Sequence, residues 1–314
     1  MTRAPVVDAT HTLLAMLTYK RPADSKSERA FIRQYILPLG VTVDAFGNLY
    51  KRIGTAPVLW SSHTDTVHHK GGRQNVRMTE GIATSDADCL GADCTVGVFL
   101  MTEMIKAGIE GLYIFHRCEE IGGLGSSYIA DETPNLLSGI KYAIAFDRRA
   151  NHSVITHQAG GRCCSEAFAA SLSSALGLGH RPDSGGSFTD TANYIGLVSE
   201  CTNLSVGYLN EHTAKERLDV DYLLRLRAAL LKMDLAALVS ERIPGTDAAD
   251  WYDDKAGNVL WLDDDQTPRR GADDLLNLVR DNPHIIADWI EEYGVDADEI
   301  ADIVLERGGI VRRR

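Results

Sequence analysis

Val58-Leu59-Trp60-Ser61-Ser62-His63-Thr64-Asp65 runs from a short apolar stretch straight into a histidine and an aspartate. A strand covered on both faces reads as a continuous apolar run rather than an alternating one. The same pattern recurs downstream. Gly111-Leu112-Tyr113-Ile114-Phe115 leads to Cys118-Glu119-Glu120, and Tyr142-Ala143-Ile144-Ala145-Phe146 ends on Asp147. Leu204-Ser205-Val206-Gly207-Tyr208 leads to Glu211-His212, and Val96 to Ala107 is a helical pattern closed by Gly108. Strands followed by polar residues and then helices predict an α/β chain, a three-layer αβα fold with a mixed, mostly parallel central sheet. Such sheets place their sites beyond the carboxyl ends of the strands. Residues far apart in sequence should therefore meet in one crevice.

Around this frame, residues 8–20 read as an amphipathic helix with Leu13, Leu14, Met16 and Leu17 on one side. Ser25 or Ser27 suits the N-cap of a second helix, from about Glu28 to Ile36. Val41 to Tyr50 reads as two strands about a Gly47-Asn48 turn. Residues 162–178 and 219–242 read as helices, and 183–190 as a loop. Pro244-Gly245 ends the pattern. This divides the chain into a catalytic domain over 1–244, an acidic linker over 245–271 and a small helical C-terminal extension over 272–314. No internal repeat of 20–50 residues is present.

Composition narrows the function classes. The 314 residues are 44% hydrophobic and 24% charged, with net charge −12. Residues 245–314 carry 18 acidic against 8 basic side chains, so the acidity lies in the tail and the body is near neutral. A basic nucleic-acid-binding surface is disfavoured in both parts. No stretch approaches the roughly 18 apolar residues of a membrane span, and the N-terminus lacks a signal-peptide core, so a cytoplasmic protein is expected. Three of the six cysteines (Cys89, Cys94 and Cys118) fall inside the polar motifs, and none forms a C-x-x-C pair. Reduced thiols are expected, without a structural zinc ribbon.

The polar strand ends supply two histidines, metal-type carboxylates and an adjacent Glu pair, the inventory of a site that holds two divalent cations beside a free base. His63 and Asp65 suit a ligand and its orienting carboxylate, because residues two apart on a strand share a side. Alone, His63 is better explained as a turn histidine. Asp93 follows Leu90-Gly91-Ala92 and precedes a helix; alone it is an N-cap, but a two-cation site needs one bridging carboxylate and Asp93 is the candidate over Asp86 and Asp88. Of the adjacent Glu119 and Glu120, one is assigned to a metal and the other to general base. The plainer alternative is an exposed acidic pair. Asp147 ends an apolar strand, where a bare carboxylate is costly unless metal-bound or paired, and Arg148 and Arg149 offer such pairing. His212 is a ligand or a loop histidine.

These residues, in this order, resemble the co-catalytic zinc peptidase superfamily of aminopeptidases, carboxypeptidases and N-acyl-amino-acid deacylases (the M20, M28 and M42 families). The resemblance covers roughly residues 8–243 and rests on His63-Thr64-Asp65-Thr66-Val67, Leu90-Gly91-Ala92-Asp93, Glu119-Glu120, and Asn203 to Gly207 followed by His212. It implies two zinc ions held by His63, Asp93 (bridging), Glu120, Asp147 and His212. It also implies Glu119 as catalytic base and Asp65 as partner of His63. Two departures stand out. Cys94 follows the bridging Asp, where the family often has Asp, Asn, Met or Gly. The 65 positions from Asp147 to His212 are too few for the lid domain of M20-type deacylases, so the compact M28-type aminopeptidases are most similar.

The expectation is therefore a di-zinc aminopeptidase acting on short peptides, with Asp190, in the Gly185-Gly186-Ser187-Phe188-Thr189-Asp190 loop, and Arg148 as substrate-side candidates. The alternatives are an M20-like deacylase or carboxypeptidase for N-acyl amino acids, which Arg148, Arg149 and Arg162 favour, and a non-catalytic binding protein on the same fold. Self-association or partner contact through the C-terminal extension is also expected.

Overall fold

A computed structural model of the chain describes residues 6–245. The expected linker and helical extension lie outside the described residues. Eight strands form the central sheet: β1 (Thr42–Val43), β2 (Leu49–Ile53), β3 (Val58–His63), β4 (Gly111–His116), β5 (Tyr142–Arg148), β6 (Ser153–Ile155), β7 (Arg181–Asp183) and β8 (Glu200–Ser205). Their spatial order is β7-β6-β8-β5-β3-β4-β2-β1. The middle of the sheet, β8-β5-β3-β4, is parallel throughout. Antiparallel pairs at β6–β8, β2–β4 and β1–β2 join the flanking strands to it. The mixed, mostly parallel α/β sheet is as expected.

Among the described residues six α-helices accompany the sheet: α1 (Val6–Leu17), α2 (Lys26–Phe31), α3 (Ala92–Lys106), α4 (Leu124–Glu132), α5 (Glu166–Leu176) and α6 (Val220–Leu230). Alternate residues of the parallel strands serve the two layers. Trp60, Tyr113, Ile144 and Phe146 join the core built with α1, α3, α5 and α6. Leu59, Leu112, Ile114 and Ala143 join a second core with Ile129 of α4, Tyr194 and Val198. Trp60 stacks on Phe146 across β3 and β5, 5.7 Å between ring centroids. Every residue of β3 and β4 is buried, which explains their unbroken apolar runs. α3 lies so close to the sheet that a Cβ on Gly97 would stand 2.7 Å from Phe146 O and 2.8 Å from Ser62 Cβ. Only glycine permits that approach.

Two expectations are corrected, and one sheet is new. The helix read over 219–242 stops at Leu230, and Asp234 then caps a short 3₁₀ turn at Leu235–Ala237. The chain beyond is tied to the sheet layer: Tyr142 donates to Leu238 O (2.9 Å), and Glu200 accepts from the Glu241 and Arg242 N–H groups. The helix read from 162 begins at Glu166, because Cys163 N–H donates to Thr156 O and Ser165 supplies the N-cap to Phe168 N–H. A four-stranded sheet of Val76–Thr79, Ile82–Ser85, Tyr208–Leu209 and Arg217–Asp219 was not anticipated. Its strands are two to four residues long and half-exposed, so they carry little apolar periodicity. Among the described residues no helix is long and apolar enough to cross a membrane. All six cysteines are free and buried.

Candidate metal centre

His63 closes β3, and its register partner across the parallel ladder is His116 at the end of β4. Asp147 sits one residue before the end of β5. The loop after β4 brings Glu119 and Glu120 to the same edge, and the segment after β8 brings His212. Asp93 arrives from the other direction, on the non-helical turn that precedes the regular part of α3, with φ −73° and ψ 111°. Six ionisable side chains from five chain segments thus meet beyond the carboxyl ends of the parallel strands.

The two oxygens of Asp93 face opposite ways. Oδ1 is 3.1 Å from His63 Nε2, and Oδ2 is 3.2 Å from His212 Nε2. On the first side Asp147 Oδ1 is 3.3 Å from the same His63 nitrogen. On the second, Glu120 Oε2 is 3.2 Å from His212 Nε2. Two ligands each about 2.0–2.1 Å from a tetrahedral zinc lie about 3.3–3.4 Å apart. The spacings fit that geometry on both sides of Asp93. Ligand atoms of His63, Asp93, Cys94 and Asp147 form one group within 4.8 Å, and those of Asp93, Glu120 and His212 another. Glu120 Oε1 is buried without a hydrogen-bond partner, a cost a bound cation would remove. The donor set of imidazole and carboxylate suits zinc-like divalent ions.

Charge statistics of the cluster point the same way. Burial would raise Asp93, yet bonds from His212 and His63 hold it far below the usual carboxylate range. Burial, with Asp93 beside it, pushes Asp147 up to about 8. Burial also raises Glu120, with Asp93 adding to it. Glu119 is pushed well above its ordinary value by burial, and the carboxylates of Asp147, Asp190 and Glu120 outweigh the pull of His63. Burial alone would lower both histidines. Surrounding anions reverse this for His63, and bonds to Asp93 and Glu120 lift His212 to about 11. Carboxylates outnumber imidazoles, so the protein's own groups reach balance only by holding extra protons. Divalent cations compete for those same positions.

The supporting contacts are specific. Asp65 Oδ1 lies 3.3 Å from His63 Nδ1, an ion-pair contact without hydrogen-bond alignment. The same carboxylate accepts the backbone N–H of Glu119 (3.2 Å) and of Glu120 (3.1 Å), so it fixes the Glu pair as well as the histidine. Glu119 stays off the imidazole, at 3.9 Å from His63 Nε2. Cys118 and His212, with φ of 62° each, take the left-handed backbone that turns the two loops inward. Asp147 is not paired with its neighbours: Arg148 donates to Gly185 O, and Arg149 contacts Glu211.

Several residues that sequence reasoning passed over complete the site. Glu216 is buried and accepts from the N–H groups of Leu90 (2.8 Å), Gly91 (2.8 Å) and Asp93 (3.2 Å), pinning the turn that carries the bridging candidate. Asn203 brackets Asp147 through both of its backbone groups, and the Tyr208 hydroxyl donates to Asp147 O. A carboxylate fixed 123 positions from Asp93 leaves no local sequence signal, and Glu216 lies between Lys215 and Arg217 in a polar stretch where one more charge is inconspicuous. A cavity of about 120 Å³ opens beside the cluster, walled by Asp93, Glu119, Asp147, Arg148, Gln158 and Phe188 among others. Asp190 does not line it. Its carboxyl is fully buried, 3.3 Å from His116 Nδ1.

No protein-family model matches this chain, and no curated protein does. Solved structures with the same fold are found. A tripeptidase from Staphylococcus aureus superposes with a TM-score of 0.61 at 14% identity, over 73% of this chain and 97% of its own. Aminopeptidase PepT from Bacillus cereus gives 0.59 at 16% identity, over 73% and 98%. An aminopeptidase from the archaeon Desulfurococcus kamchatkensis gives 0.57 at 12% identity, over 72% and 94%. At these identities the likeness establishes the fold, which this chain shares with the tripeptidase and the two aminopeptidases.

Proposed function

We propose that the chain is a two-cation hydrolase that cleaves a peptide or amide bond, acting as an aminopeptidase on short peptides. One observation carries the reading: the two oxygens of Asp93 face separate ligand sets, His63 with Asp147 on one side and Glu120 with His212 on the other. The structures it superposes on include aminopeptidases and a tripeptidase. Zinc is the expected ion at both positions. When bound, the cations supply Lewis-acid polarisation of a carbonyl and acidify a water.

The protein groups then have distinct tasks. Glu119, at the cavity wall and farther from His63 Nε2 (3.9 Å) than Asp93 or Asp147, takes a proton from water and returns it to the leaving amine. Its raised proton affinity suits both transfers. Asp65 orients His63 and holds the Glu119–Glu120 turn. The cavity beside the cluster is small, about 120 Å³, which suits a short substrate segment.

A second reading, an N-acyl-amino-acid deacylase or carboxypeptidase, draws on Arg148 and Arg149 in the cavity wall. A guanidinium there is suited to clamp a substrate carboxylate. Assay of the zinc-loaded protein on aminoacyl-anilides, short peptides and N-acyl amino acids separates the two. Cleavage of free-amino substrates alone is expected. Deacylation without anilide or peptide cleavage would reverse the ranking, and a protein that binds no divalent ion would remove both.

A further inference from the structure

We propose that Cys94 is a protein ligand to the cation on the His63–Asp147 side, so that the two positions of the pair differ in chemistry: one contains a thiolate, the other only nitrogen and oxygen. The inference rests on the two-cation reading and adds a residue to one half of it.

Cys94 is fully buried and directly follows Asp93. Its sulfur belongs to the same 4.8 Å group as ligand atoms of His63, Asp93 and Asp147. Among the described residues it is the one cysteine in any such group, although six are present. Asp93 and Cys94 both lie outside helical backbone geometry, on the turn before α3 becomes regular, so the side chains are set by the turn and not by the helix. The sulfur now donates to Phe146 O at 3.1 Å, the carbonyl immediately before Asp147. It is therefore already beside the residue that closes the first ligand set.

A buried guanidinium adjoins this turn. Arg21 is completely buried, and its Nη1 donates to Thr95 Oγ1, on the residue next to Cys94, at 2.9 Å. Its Nη2 has no hydrogen-bond partner. The turn that carries Cys94 is thus braced from the next residue by Arg21.

On binding, the S–H bond of Cys94 breaks, its proton leaves to solvent, and a sulfur–metal bond replaces the hydrogen bond to Phe146 O. A soft donor on one side selects zinc, cobalt or cadmium over manganese and magnesium. The Glu120–His212 side, with oxygen and nitrogen alone, discriminates less.

The test is cobalt(II) loading of the intact protein. Visible d–d bands report that the site is filled. A near-ultraviolet thiolate-to-cobalt charge-transfer band is expected in the wild type and is lost in Cys94→Ser, with the d–d bands kept in both. X-ray absorption of the zinc-loaded wild type needs no variant and should show a sulfur scatterer at about 2.3 Å. Cobalt bands without charge transfer, together with a zinc edge fitted by nitrogen and oxygen alone, would overturn the assignment of Cys94 and leave the two-cation reading standing. Absence of any cobalt or zinc uptake would overturn both.

Discussion

Two clusters of buried charge adjoin each other at the carboxyl edge of the sheet, and they are balanced in opposite ways. In one, the fully buried Glu28 carboxylate receives Arg117 Nε at 2.7 Å and Nη2 at 3.0 Å, together with the Thr64 hydroxyl at 2.5 Å. In the other, one position along from Thr64, His63 meets Asp93 and Asp147 while Glu119 and Glu120 stand by. The first cluster answers its anion with a guanidinium and is complete. The second sets four carboxylates against two imidazoles. Burying an unpaired carboxylate is expensive, so the surplus is the mark of a site made for something the chain does not encode. Thr64 ties the two together: the closed pair braces the strand end on which the open cluster is built.

The comparison breaks first at Asp93. Asp93→Ala should remove the shared ligand of both positions, drop bound metal from two equivalents towards none, and reduce peptide cleavage to background. Elemental analysis beside the assay checks this. Retention of two equivalents would mean that the carboxylate surplus has another purpose. Glu119→Ala tests the division of labour inside the surplus. It should keep both metals and lose turnover by about 10²–10⁴-fold, the usual worth of a positioned general base. Metal loss in that variant, with turnover otherwise intact in Glu120→Ala, would exchange the two assignments.

Much of this was readable in the sequence because burial on both faces leaves a strong trace. β3, β4 and β5 announce themselves as apolar runs, and the polar residue that ends each one is conspicuous against them. His63, Asp147 and the Glu pair were found that way, and parallel pairing places them at one edge. What stayed hidden has no local pattern. Glu216 acts on a turn more than a hundred residues earlier, through backbone N–H groups that sequence does not display. The fourfold sheet of very short strands and the early end of α6 at Leu230 are decided by tertiary contacts such as Tyr142 to Leu238. Asp190 looked like a substrate group because it ends a glycine-rich loop, yet the loop folds it under the site.

The closed cluster should respond as a structural pair. Glu28→Ala leaves Arg117, whose side chain is only 13% exposed, with the exposed Asp24 as its remaining carboxylate partner, and should cost about 3 kcal/mol in chemical denaturation, the lower end for a broken buried pair. The folded fraction should still bind its metals. Glu216→Gln is milder, since one oxygen remains as acceptor while the other becomes an amide donor facing N–H groups. Metal affinity, read by chelator competition, should fall about 10–100-fold, as for other outer supports of a metal site. An unchanged affinity would show that the turn before α3 holds Asp93 without it.

The smallest effect sharpens the comparison at a third buried pair, His116 and Asp190, which carries no guanidinium and no metal ligand. Burial lowers His116 to about 3 from its ordinary 6.5, and burial raises Asp190 to about 7 from 3.8. Between about pH 6.5 and 3 the unfolded chain takes up a proton at His116 that the folded chain refuses, so this group removes stability as pH falls. Between about 3.8 and 7 the folded chain keeps a proton at Asp190 that the unfolded chain releases, so this group removes stability as pH rises. Each slope is about 1.4 kcal/mol per pH unit, and the two oppose one another across their shared window. Relative to wild type in the presence of chelator, Asp190→Asn should therefore lose stability as pH is lowered from 7 towards 4. His116→Asn should gain over the same descent. Denaturation curves at several pH values would decide it: three parallel profiles would mean that neither group is shifted in the fold, and that buried neutrality is not how this pair differs from the cluster beside it.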